Sequence, residues 1–147
     1  LKRKPASVPL LALALALLAP GGLAAQREAR PDDFLGVTTC EAGAAVTTLR
    51  PDVRDSLLVA EVEAHEAVHR EQARTYESCD AFLASLTTAR HIINAELPAY
   101  CAQWKVAVAR GADSAAMRRE YAWRISAQSG AMENRLQIAQ RFEAECR

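Results

Sequence analysis

Over residues 53–77 one stripe of side chains recurs at steps of three and four: Leu58, Val62, His65, His69, Ala73 and Tyr76. That period is the signature of an amphipathic α-helix. It commits the chain to a helical layer that must bury this face against something else. Two members of the buried stripe are histidines. Side chains four apart on a helix sit one turn above each other, so His65 and His69 share the inward face. Glu66 follows the first of them directly, which makes the stretch His65-Glu66-Ala67-Val68-His69 an HExxH pattern.

The helical pattern continues beyond this segment. A second helix is expected from Asp80, as N-cap, to Gly111, as C-cap. Its apolar stripe is Leu86, Ala89, Ile93, Leu97, Tyr100, Trp104 and Val108, and Pro98 predicts a kink or break just before itself. A third helix should begin at Asp113–Ser114 and carry Met117, Tyr121, Ile125, Met132, Leu136 and Phe142 towards Cys146. Ahead of all three, Val-Thr-Thr occurs twice, at 37–39 and 46–48, around a Gly-containing turn. β-Branched residues so arranged predict a short hairpin within 34–49. The fold class expected is mainly α: three helices with a short N-terminal β-hairpin.

The first 25 residues read as an export signal rather than as part of this fold. Lys2, Arg3 and Lys4 precede the apolar run Val8–Pro20, which is too short to span a bilayer, and Gly22, Ala24 and Ala25 offer a cleavage site. Residues 26–33 are a polar lead-in, leaving 34–147 as one domain. The mature chain would then have about 120 residues, enough for one modest core. Losing three basic residues from a chain with 18 Lys+Arg and 18 Asp+Glu leaves it mildly acidic, which excludes the basic face that nucleic acid requires. No later run is long enough to cross a membrane. Four cysteines, Cys40, Cys79, Cys101 and Cys146, imply two disulfides in an exported chain, with three connectivities open. A four-cysteine metal site is disfavoured because no CxxC spacing occurs.

HExxH has a specific chemical use. Two imidazoles one turn apart can grip a tetrahedral zinc ion, and Glu66 stands beside them without ligating. Zinc acidifies a bound water towards neutrality, and a neighbouring carboxylate can take its proton and later deliver it to a leaving amine. The competing reading is a pair of helical histidines satisfied by ordinary hydrogen bonds. A catalytic zinc also wants a third protein ligand. Gln72 and Thr75 stand where a metzincin extension would need Gly and His, which closes that option. Glu96, His91 and Asp80 remain. Glu96 lies on the apolar stripe of the second helix, where a carboxylate is costly unless paired or metal-bound. His91 lies off the stripe, and Asp80 is occupied as a cap.

These residues resemble the gluzincins, zinc metallopeptidases with HExxH on one helix and a Glu ligand on a later one. His65, Glu66 and His69 match the motif, and Glu96 in "AELPAY" takes the place of the third ligand. The phrase "HEAVHREQ…AELPAYC" is also similar to small exported bacterial proteins with HExxHxxQ followed by an E-x-x-A-Y segment. The resemblance covers roughly residues 58–104. It implies a zincin-like domain, a Zn2+ cofactor, a peptide or protein substrate, and Glu66 as general base. Where thermolysin-like enzymes carry an Asp that supports a ligand histidine, this chain has Tyr100. Its hydroxyl is expected either to take over that support, to donate to the oxyanion, or simply to pack in the core. Charged Glu63, Arg70 and Glu71 around the motif depart from the family and mark a helix partly open to solvent.

If the first two helices run antiparallel with Glu96 level with the histidines, and a third unbroken helix returns alongside the first, the bridges would be Cys40–Cys101 and Cys79–Cys146. A Cys79–Cys101 bridge would pull Glu96 off the histidines. The alternative function is a non-catalytic, disulfide-braced helical domain that binds a protein, an envelope component or a metal.

Overall fold

The computed structural model describes residues 35–147. The expected export signal (1–25), the lead-in (26–33) and residue 34 lie outside the described residues. Strands β1 (Gly36–Glu41) and β2 (Ala44–Leu49) form an antiparallel hairpin in which Thr38 faces Thr47 and Cys40 faces Ala45. Ala42 and Gly43 both have positive φ, 49° and 82°. This is the turn geometry that suits the twist of two strands joined by two residues. Helices α1 (Ser56–Arg74), α2 (Cys79–Ser85), α3 (Ala89–Ala109), α4 (Ser114–Ser129) and α5 (Arg135–Glu145) follow, with a single 3-10 turn at Met132–Asn134. The chain is mainly helical with one small sheet, as its periodicities require.

α1 starts where the side chain of Asp55 accepts the N–H of Leu57. α3 crosses α1 antiparallel: Arg110, at the end of α3, donates to the carbonyl of Leu57, whereas Gln72, near the end of α1, donates to the carbonyl of Ala95. The hairpin lies on α1 with β1 running in the same direction as the helix. Gly36 packs against Val62, Thr38 bonds to Glu66, and Cys40 reaches Cys79 just beyond the helix end. A Cβ on Gly36 would stand 2.5 Å from Val62 Cγ1 and 3.0 Å from Leu49 Cδ2. Only glycine lets the strand come this close to the helix.

Two of the three expected helices are divided. The stretch from Asp80 to Gly111 breaks at residues 86–88, because the Thr88 hydroxyl accepts the N–H of His91 and starts a new helix there. Ser78 caps α2, and Asp80 sits in its first turn rather than at the cap. Pro98, by contrast, causes no break. α3 runs through it as one helix, with Leu97 and Ala99 fully packed on either side. The third helix begins at Asp113 as expected but stops at Gly130, whose φ of 68° is the left-handed conformation that closes helices. After that turn the phase of the stripe is reset. Met132 and Leu136, expected inside, are exposed, and Ile138 joins Phe142 in the core instead.

The disulfide pairing is corrected as well. The bridges are Cys40–Cys79 and Cys101–Cys146, not Cys40–Cys101 and Cys79–Cys146. The hairpin carries Cys40 along α1 to its far end, where Cys79 opens α2. The turn at Gly130 sends α5 back across α3 and α4, so Cys146 ends beside Cys101. Each bridge closes a loop of 39 or 45 residues, which in the chain-entropy account stabilises the fold by about 4 kcal/mol.

The main core joins α3, α4 and α5 through Leu97, Trp104, Tyr121, Ile125, Ile138 and Phe142. A smaller cluster of Ala73, Cys79, Phe82 and Ala95 gathers where α1, α2 and α3 meet the hairpin. Both histidines lie at the seam between them: His65 meets Tyr100 of the main core, and His69 lies 6.3 Å from Phe82 of the smaller one.

Candidate metal centre

His65 and His69 face inward from successive turns of α1, 7% and 8% exposed, with their Nε2 atoms 3.1 Å apart. The antiparallel crossing brings Glu96 of α3 over them. One carboxylate oxygen, Oε2, lies 3.4 Å from His65 Nε2, and the other, Oε1, lies 3.6 Å from His69 Nε2. Among the described residues these three form a group that could hold a metal ion. Donors around a tetrahedral ion with bonds of about 2.0–2.1 Å stand roughly 3.3–3.4 Å apart, and each histidine Nε2 lies near that distance from one of the two Glu96 oxygens. Glu96 Oε2 and His65 Nδ1 are buried without a hydrogen-bond partner, an expensive condition for polar atoms unless a cation or proton compensates them. The donor set, two imidazoles and a carboxylate, is one that divalent zinc accepts.

The electrostatics favour positive charge at this point. Burial pushes the Glu96 carboxyl up, but its contacts with His65 and His69 outweigh burial and hold it down at about 2. Burial pushes His69 down, and Glu96 more than compensates, leaving the imidazole raised above its usual value. An ionised carboxylate thus faces two bases in a site largely closed to water.

Of the two other candidates set aside in the sequence, neither joins the group. His91 is exposed, with Nδ1 2.8 Å from the carbonyl of Ser85, and Asp80 faces solvent at the start of α2. Glu66 is buried, 5% exposed, on the adjoining part of α1, and its Oε2 accepts a hydrogen bond from the Thr38 hydroxyl at 2.7 Å. Tyr100 packs edge-on to the His65 ring, centroids 4.4 Å apart, and lies 4.9 Å from the Tyr121 ring. Burial and the Glu96 charge raise its hydroxyl far above the usual range, while the hydroxyl engages Gln128. Tyr100 therefore packs against the ring of His65.

Support for His69 comes from a residue whose role sequence reading missed. Gln72 Oε1 accepts the Nδ1–H of His69 at 2.9 Å, which leaves the Nε2 lone pair for a ligand. The signal in the sequence was the final Gln of the HExxHxxQ pattern, three residues after His69 on the same helix. Thr38 was likewise unmarked among the threonines of the hairpin.

The centre opens into a cleft of about 120 Å3, walled by Gly36, Val37 and Thr38 of β1 on one side and by Phe82, Leu83 and Leu86 on the other. Its walls carry no charged side chain apart from His65, Glu66, His69 and Glu96 of the centre itself. No family model, curated protein or solved structure matches this chain. Two disulfides fit an extracellular location, and no described helix is long and apolar enough to cross a membrane.

Proposed function

We propose that this chain is an exported zinc-dependent metallopeptidase of zincin-like type, in which His65, His69 and Glu96 hold the metal and Glu66 is the general base. The observation that carries the reading is the convergence of Glu96, from a helix 27 residues on, with the HExxH histidines at 3.4 and 3.6 Å. When bound, zinc supplies a Lewis acid and an acidified water. The chain supplies the rest. Gln72 and Tyr100 orient the two imidazoles, and Glu96 would offset one of the ion's two positive charges while tying α3 to α1. Glu66, buried beside the pair, takes up a proton and returns it to the leaving amine. The uncharged cleft walls suit a short or unfolded peptide lying across the centre.

The test is metal analysis and hydrolysis together. The wild type should hold about one zinc per chain. Glu66→Gln should keep the metal and lose hydrolysis, and His69→Ala should lose both. A Glu66→Gln protein that hydrolyses peptides as well as the wild type overturns the role of Glu66. Stoichiometric zinc in a chain that cleaves no peptide would leave a metal-binding protein in place of an enzyme.

A further inference from the structure

Two threonine hydroxyls link Glu66 to a cation, Arg70, on the outer side of the hairpin–helix contact. Arg70 donates from NH1 to Thr47 Oγ1. Thr47 Oγ1 lies 3.3 Å from Thr38 Oγ1, and Thr38 donates to Glu66 Oε2 at 2.7 Å. The proton order follows from the two ends. A guanidinium can only donate and a carboxylate can only accept, and each threonine has a single hydroxyl proton. Thr38 gives its proton to Glu66, so the proton between the threonines belongs to Thr47, whose lone pair is taken by Arg70.

We infer that Arg70, Thr47 and Thr38 act as a directed hydrogen-bond relay that positions the Glu66 carboxylate, making the hairpin a working part of the site. Every link points the same way, so each polarises the next. Thr38 occupies one carboxylate oxygen, and the proton taken up in hydrolysis goes to the other. Both bridging threonines lie on the helix-facing side of the hairpin, in register opposite each other. The close approach at Gly36 and the Cys40–Cys79 bridge hold that face against α1 on either side of Thr38. Arg70 also meets Glu63 at 3.5 Å, which anchors its far end. Two of the charges around HExxH that depart from gluzincins, Glu63 and Arg70, thereby acquire a use.

The inference rests on the peptidase reading and is tested against it with Thr38→Val, Thr47→Val, the double variant, and the corresponding serines. Valine keeps the shape and strand preference of threonine and removes only the hydroxyl. Thr38→Val should lower kcat by about 10- to 100-fold, the usual cost of losing such a supporting bond. KM should stay within about twofold and zinc content should be unchanged. Thr38→Ser should restore most of the activity. Thr47→Val should have a smaller effect of the same kind, and the double variant should be no worse than Thr38→Val alone, because the relay is already cut. Independently of turnover, Thr38→Val should destabilise the wild type more than it destabilises Glu66→Gln in urea unfolding. Unchanged kcat in Thr38→Val, serine no better than valine, or equal destabilisation in both backgrounds overturns the relay. A wild type that cleaves nothing overturns the peptidase reading and the relay's catalytic role with it, whereas an active wild type with an unaffected Thr38→Val removes the relay alone.

Discussion

One amide joins the two helices of the candidate metal centre: Gln72 accepts from His69 Nδ1 and donates to the carbonyl of Ala95, both at 2.9 Å. Gln72 therefore holds the His69 ring on α1 and ties it to α3 at the residue before Glu96. Gln72→Leu keeps the helix but loses both bonds. Zinc affinity should fall by about 10- to 100-fold, read by competition with a chromogenic chelator. An affinity equal to wild type would mean that His69 needs no such support.

Gly36 is expected to be intolerant of any side chain. In Gly36→Ala the new methyl meets Val62 at 2.5 Å, and relieving that overlap should cost about 1–3 kcal/mol. Because the strand must move away from α1, Thr38 should also lose contact with Glu66. Adding Val62→Ala should recover part of the stability. Thermal unfolding of the single and double variants measures both effects.

The metal-free protein should be most stable in mildly acidic solution. Glu96 is held at about 2, below its ordinary 4.5, so its contribution is present above 4.5 and is lost as pH falls towards 2. His69 is raised above 6.5, so its contribution is present below 6.5 and is lost as pH rises through the folded value. Glu96→Gln removes the partner responsible for both and should flatten both limbs. Urea unfolding from pH 2 to 9 with chelator present would show it. Limbs of wild-type steepness in Glu96→Gln would place the titrating groups elsewhere.

Peptide mapping without reduction should recover Cys40 joined to Cys79 and Cys101 joined to Cys146. Replacing the first pair by alanine should cost about 4 kcal/mol or less. Activity should then fall further than zinc content, since the hairpin reaches Glu66 but no ligand. A parallel loss of zinc and activity would show that the bridge acts on the whole centre.

Most of what is local could be read in the chain. The stripe through Leu58 and Ala73 places His65 and His69 on one buried face because a helix repeats at a fixed angle per residue. The same rule puts Glu96 on the inward face of α3, and the paired Val-Thr-Thr segments announce the hairpin. What the sequence by itself determined is thus which side chains face inward along α1 and α3, but not beyond Gly130, where Met132 and Leu136 turn outward. Their partners across the fold were decided by tertiary structure. The hairpin's direction along α1 sends Cys40 to Cys79, and one left-handed residue, Gly130, turns α5 so that Cys146 meets Cys101. Gln72, Thr38, Thr47 and Arg70 take their roles from contacts between segments 23 to 28 residues apart. Such contacts have no period to betray them. Those of Thr38, Thr47 and Arg70 exist only once a strand without a side chain at Gly36 has settled against a helix, and that of Gln72 only once α3 has crossed α1.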